Sequence, residues 1–318
     1  MNRVRSCVAL ATVAWLVAAC TTESPSDPPE APARPAESSD DPSADPDPDR
    51  AMDPTADWQL YRERFVTAEG RVVDSGNDGV SHSEGQGYAL LFATAFDDRP
   101  TFELIWAWTN RHLQVRASDR LFSWQWTATE GVTDTNNATD GDLLIAWALL
   151  RAGERWQVPE WLHSAREIAV DVRMSMVLDS PHGLMLRPGA EGFERPSGPG
   201  TDGLGLVVNP AYWVFPAFPD LARLDPSPIW HQLTDSGLLL VDAARFGRWQ
   251  LPPDWLAVPT FPVQASGEPT RSVLSPVTPA DGFPPRFGYS AVRIPLSMHW
   301  AGRDACGIVE TGPMHVER

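Results

Sequence analysis

The feature that most constrains this fold is a series of amphipathic stripes with helical spacing, separated by long connections rich in Gly and Pro. Trp58, Tyr61 and Phe65 share one helix face. So do Tyr88, Leu91, Phe92 and Ala95, then Phe102, Ile105, Trp106 and Thr109, then Leu143, Leu144, Trp147 and Leu150. Recurrence at three- and four-residue intervals is the signature of a helix that buries one side. Residues 161–177 and 230–244 predict two further helices, whereas 178–208 and 250–287 read as long loops. Alternating runs of strand type are scarce, so the expectation is a mostly helical domain.

That domain begins near residue 57. Upstream, Arg3 and Arg5 precede an apolar run that ends in Val17-Ala18-Ala19-Cys20. A charged start, a short apolar stretch and small residues before a cysteine read as a secretory signal over 1–19. The run is shorter than the roughly 20 residues a membrane span needs. Residues 20–56 are Pro, Ser, Asp, Glu and Ala almost throughout and cannot bury enough surface to offset the entropy of ordering. Residues 21–56 hold ten acidic residues against two Arg, a net of −8 within a chain of −17. Nearly half the acidity therefore sits in a tether and says little about a site, but a phosphate backbone would need a basic face, so nucleic acid is excluded as a partner. Cys306 is the one cysteine of residues 57–318, so no disulfide closes within them. No Cys/His set has zinc spacing, and no glycine-rich phosphate loop follows a strand. Thirteen of the 14 Trp lie beyond residue 57, a load of flat apolar faces that suits sugar rings as well as a core.

Two polar motifs stand where helices are expected to start. Ser81-His82-Ser83-Glu84-Gly85-Gln86-Gly87 runs into the helix at Tyr88, and Asn136-Asn137-Ala138-Thr139-Asp140-Gly141-Asp142 into the helix at Leu143. Capping of first-turn N–H groups accounts for Ser, Thr and Asp there, but not for a Glu beside two glycines, which points to close approach by a ligand or another backbone. Cleavage of a glycosidic bond needs one protonated carboxyl at the leaving oxygen and a second carboxylate for water or for the sugar.

These strings resemble glycoside hydrolase family 8. The stretch 138–142, followed by Ile145-Ala146, Ala152 and Trp156, is similar to the family pattern position for position. Gly70-Arg71-Val72-Val73-Asp74 with 83–88 resembles its acid segment, and 209–216 and 287–296 resemble further segments in the family's order. The nearest branch is the endo-β-1,4-glucanase that accompanies bacterial cellulose synthesis. The resemblance implies an all-α (α/α)6 barrel and an inverting mechanism without metal or other cofactor. It implies Glu84 as general acid and Asp140 as the group that binds the distorted sugar. Asp142 falls behind them, Trp124 and Trp126 are candidate stacking platforms, and Tyr212, Tyr289 and Arg293 line the cleft. His82 is read as structural. The same resemblance implies β-1,4-glucan chains as partner, a monomer, and an association with cellulose-synthesis machinery. Val17 to Cys20 resembles a bacterial lipobox, which implies a lipidated Cys20 as membrane anchor, and Thr21 after it, where inner-membrane lipoproteins often carry Asp, favours the outer membrane, at its periplasmic face or the cell surface; several acyl chains anchor stably where one does not.

The pattern breaks in two places. Ser290 occupies the position where the family's main branch has the Asp that activates water, and loss of such a base costs a factor of about 10² to 10⁴. Asp134, Glu268 and Asp281 are the carboxylates placed to substitute for it. Few residues follow Ser290, so the barrel is expected to lack C-terminal helices. Three alternatives follow: a degenerate glucan-binding protein without turnover, a non-functional remnant that folds poorly, and a chitosanase or mixed β-glucanase.

Overall fold

The computed structural model describes residues 53–196, 204–259 and 276–303. Its first half is a stack of helices in chain order: α1 (Pro54–Phe65), α2 (Ser83–Ala95), α3 (Arg99–His112), α4 (Thr139–Trp156) and α5 (Pro159–Ser175). α6 (Phe218–Leu224), α7 (Ile229–Ala243) and α8 (Arg293–Trp300) follow. Asp53 and Asp98 cap α1 and α3 by accepting first-turn backbone N–H groups, each just before a helix with Pro in its first turn. Asp98 also accepts from Trp58 Nε1 at 3.1 Å and Arg62 Nη1 at 2.7 Å, which fastens α1 across the start of α3.

α4 is the centre of the stack. Every residue from Thr139 to Leu150 is buried, because α2 packs on one side of it and α5 and α6 on another. Small residues set the closeness of the α2–α4 crossing. A Cβ on Gly87 would stand 2.6 Å from Leu144 Cβ, and one on Gly141 would stand 2.2 Å from Ser83 Oγ and 2.9 Å from the Glu84 nitrogen. We expect Gly141→Ala to force the helices apart and to cost about 1–3 kcal/mol, read as a lower urea midpoint. Gly85→Ala, whose new methyl would find nothing nearer than 3.9 Å, is the control. Helix propensity favours the alanine there, so equal losses from the two would refute the packing argument.

The connections expected to be irregular loops hold strands, and the all-α expectation is corrected to that extent. β1 (Ser81–His82) pairs antiparallel with β2 (Gln125–Trp126), Ser81 opposite Trp126. β3 (Val177–Ser180) and β4 (Gly183–Leu186) form a hairpin whose turn needs Gly183 at φ +96°. β5 (Glu194–Pro196), β6 (Leu204–Val208), β7 (Leu256–Pro259) and β8 (Thr278–Pro279) make a four-stranded antiparallel sheet in that order. These strands are two to five residues long and carry Pro or Gly, too short and too interrupted to show alternation. Beside the sheet, Trp255 is stacked between Phe193 and Phe283, at 5.8 and 4.7 Å.

α8 packs on the single turns Pro210–Tyr212 and Phe215–Ala217. Val292, Leu296 and Trp300, four residues apart, lie exposed along its other side. Glu268, Cys20 and Cys306 lie outside the described residues. No helix among the described residues is long and apolar enough to cross a membrane.

Candidate active site

Both polar motifs begin their helices earlier than the sequence suggested. α2 starts at Ser83 and α4 at Thr139, so Glu84 and Asp140 each occupy a first turn. Neither helix has a side-chain cap, and the residues before them, His82 and Ala138, have extended backbone. The Gly141 contact sets the two N-termini against each other and brings the two carboxyls together. Arg293, from the first turn of α8 and 209 residues beyond Glu84, closes the group. Its Nη1 donates to Glu84 Oε1 and, at 3.0 Å, to Asp140 Oδ2. The Tyr212 ring lies 6.0 Å from the guanidinium carbon. All three charged side chains are largely buried.

Burial decides the protonation states. It pushes the Glu84 carboxyl up to about 8; the Arg293 charge opposes this, and the nearby Asp140 and Asp74 charges add to it. The positive end of a helix favours an ionised Glu, but desolvation outweighs it here. Burial also raises Asp140, against the pull of Arg293. A buried acid close to neutral pH, hydrogen-bonded to a cation and beside a second carboxyl, is a group able to hold a proton and release it.

The remaining candidates separate into those beside this group and those apart from it. The β1–β2 pairing and the hydrogen bond from Ser83 N–H to Trp124 O, 3.1 Å, carry Trp124 alongside the start of α2. The Trp124 ring stacks on His82 at 5.7 Å, and its Nε1 donates to Asp134 at 2.9 Å. Trp126 has Arg71 over its ring at 5.1 Å and Trp108 edge-on at 5.3 Å, so one of its faces is taken. Asp142 is tied elsewhere. It accepts from Phe122 N–H at 2.8 Å and Asn137 Nδ2 at 2.7 Å, fixing the segment that leads to Asp140, and burial pushes it up to about 7. Gln86 bonds Val72 N–H, Gly70 O and Thr109, so it anchors the 70–74 segment beneath α2. Ser290 is buried in the turn before α8, while Tyr289 is 55% exposed. Asp134 and Asp281 are exposed.

One residue near the site, Asp254, escaped sequence reasoning, and a second, Asp74, stood in the 70–74 segment with no role assigned to it. Asp74 Oδ2 faces His82 Nε2 at 3.3 Å. Asp254 is buried against the turn that carries Ser290. Asp254 stands in no motif whose spacing marks it, because it meets its partners through a loop. Among the described residues no three His, Cys, Asp or Glu side chains converge as a metal site.

Residues 48–310 match the model of glycosyl hydrolases family 8. The chain belongs to that family. Among its relatives, a probable endoglucanase of Novacetimonas hansenii is 41% identical over 260 residues, 81% of this chain and 69% of that protein. An endoglucanase of Cellulomonas uda is 37% identical over 253 residues, 79% of this chain and 64% of that one. The chain thus spans about two thirds of the length of these family 8 relatives. The solved endo-β-1,4-glucanase CMCax of Acetobacter xylinum superposes with a TM-score of 0.71 at 40% identity, covering 81% of this chain and 75% of that one. The helix-rich architecture described above is therefore the family 8 fold over the matched region.

Proposed function

We propose that this chain is an endo-acting β-1,4-glucanase that cleaves with inversion, with Glu84 as general acid. The observation that carries the reading is the buried Glu84 carboxyl at about 8, joined to Asp140 through one nitrogen of Arg293, in a chain of this family. The described helices are successive members of an (α/α)6 barrel whose cleft opens where the first turns of α2, α4 and α8 meet. A β-1,4-glucan chain lies across that cleft. Trp124 stacks on a glucose ring, and Tyr212 and Tyr289 border the chain.

The geometry supports these steps. Glu84, neutral up to pH of about 8, gives its proton to the glycosidic oxygen as the bond breaks. Asp140 takes a hydroxyl of the distorted sugar and steadies the positive charge that develops at the ring. Two oxygens that bond the same guanidinium nitrogen lie within about 6 Å of each other. An inverting acid and base stand roughly 6.5–9.5 Å apart with water between them, so Asp140 does not serve as base. The attacking water approaches from the Ser290 turn, where the family's usual Asp is missing, and gives its proton to a carboxylate other than Asp140, the role for which Asp134, Glu268 and Asp281 are the candidates.

Residue 290 also supports a second reading, in which the cleft binds glucan without turning it over. One assay separates the two: release of reducing ends from carboxymethyl cellulose, lichenan and chitosan by the wild type beside Ser290→Asp. Cleavage of the β-1,4-glucans by the wild type is the expected result. Cleavage only by Ser290→Asp favours the binding reading, and no cleavage by either folded protein rules out the glucanase. Preference for chitosan would redirect the substrate. Residues 1–19 as signal, a lipidated Cys20 and the acidic tether of 20–56 would place the domain off the surface of the outer membrane, beside cellulose-synthesis machinery. Incorporation of labelled palmitate that Cys20→Ala abolishes is the test of the anchor.

A further inference from the structure

The guanidinium that joins Glu84 to Asp140 stands on the first residue of α8, so whatever places the start of α8 places the clamp. α8 does not begin with a side-chain cap. It begins from a turn wound around a buried carboxylate that the proposed mechanism does not use. Asp254 is 7% exposed. Its Oδ1 accepts the Gly288 N–H at 3.1 Å and the Ala291 N–H at 2.8 Å, on either side of Tyr289 and Ser290. Its own N–H donates to Arg286 O at 3.0 Å. Gly288 leaves the space for it: a Cβ there would stand 2.2 Å from Asp254 Oδ2. From this turn Arg293 N–H bonds Ser290 O at 3.1 Å, and the helix runs on.

The next residue supports the clamp from another side. Trp255 contacts the Tyr212 ring at 6.1 Å, and that ring lies against the Arg293 guanidinium. Trp255 is itself held between Phe193 and Phe283 and leads directly into β7. A dipeptide at the start of an inner strand therefore touches both the backbone that launches Arg293 and the ring beside its side chain.

We propose that Asp254 is a positioning residue of the active site, which by gripping the 288–291 turn sets where Arg293 presents its guanidinium to Glu84 and Asp140. The proposal rests on the glucanase reading for its effect on turnover, but not for its effect on Glu84. Two N–H groups aimed at one side-chain oxygen are directional, which suits a device that must hold a backbone to a fraction of an ångström. Misplacement of a reacting group by about 1 Å costs on the order of 10²-fold in rate.

The groups that face Glu84 are Arg293 from α8, Asp140 from α4, Asp74 from the loop before α2 and Tyr88 from α2 itself. Of these only Arg293 favours the ionised form. A guanidinium that drifts away therefore moves the Glu84 titration upward, and the basic limb of the kcat/KM profile with it. Asp254→Ala is expected to lose on the order of 10²-fold in kcat/KM and to shift that limb to higher pH. Asp254→Asn, whose amide oxygen accepts the same two N–H groups, is expected to keep most of the activity and an unshifted limb.

The experiment is the 13C titration of the Glu84 side-chain carboxyl, assigned by its loss in Glu84→Gln, run on wild type, Asp254→Ala and Asp254→Asn beside the pH–rate profiles. An upward shift in Asp254→Ala that Asp254→Asn restores is the supporting result. A Glu84 titration unmoved in folded Asp254→Ala overturns the proposal. So does an Asp254→Asn as damaged as the alanine variant, since the charge of Asp254 would then be what matters. If Asp254→Ala does not fold, Gly288→Ala displaces the same carboxylate from the opposite side, and an unmoved Glu84 there is equally fatal. If the wild type cleaves nothing, the glucanase reading fails, while the carboxyl titration still decides on Asp254.

Discussion

Replacing Glu84 by Gln lowers turnover of carboxymethyl cellulose by about 10²- to 10⁴-fold, the usual worth of a positioned general acid, and leaves the fold in place. The amide has nearly the same shape and retains an oxygen to accept the Arg293 N–H, so packing at the α2–α4 crossing is preserved. What disappears is the proton. The decisive comparison is a second substrate. An aryl cellooligosaccharide with a dinitrophenolate leaving group departs without protonation, so Glu84→Gln should cleave it far closer to the wild-type rate. Equal losses on both substrates would mean that Glu84 acts by binding or by structure, and the assignment would fall. The wild-type profile carries the same information, since activity should decline as pH rises through about 8, where the buried carboxyl ionises.

The parts of this site that are local in sequence were legible from it, and the parts made by long-range packing were not. Glu84 beside Gly85 and Gly87, and Asp140 beside Gly141, signalled close backbone approach, and Gly87 and Gly141 do stand at the helix crossing. The helical stripes at 58–65, 88–95, 102–109 and 143–150 correspond to α1 to α4. Their first turns were misplaced by about one helical turn for α2 and α4, because polar and glycine residues that look like a loop are held helical by packing. The sheet of β5 to β8 left no periodic trace. Asp254 was invisible for a deeper reason. Its role depends on a turn more than 30 residues away, and Pro252-Pro253-Asp254 reads locally as a loop with a solvated acid. Asp142, read as standing behind the two carboxyls, makes two hydrogen bonds that brace the segment before α4.

The second large effect concerns Arg293, and here stability and pH separate the readings. Removing one partner of a buried ion pair costs about 3–5 kcal/mol where the other partner has to stay ionised. In Arg293→Met the two carboxyls remain, buried and adjacent, and the cation that favoured their ionised forms is gone. Both then hold their protons to higher pH than in the wild type, where Glu84 already titrates at about 8 and Asp140 is raised. The folded variant keeps protons that the unfolded chain has released, so its stability falls as pH rises. Below the ordinary carboxylate range both groups are neutral in folded and unfolded chains alike, and an apolar Met in place of a buried cation costs little or stabilises. Urea midpoints of wild type and Arg293→Met should therefore lie close at pH 3 and diverge most steeply as pH rises past about 8, where wild-type Glu84 ionises and the variant's carboxyls stay protonated. A Glu84→Gln/Arg293→Met double variant should recover part of the loss, since one of the two carboxyls no longer has to stay neutral. A deficit that is the same at both pH values would show that Arg293 contributes packing alone, and the account of Glu84 as an acid held in balance between burial and a single guanidinium would have to be abandoned.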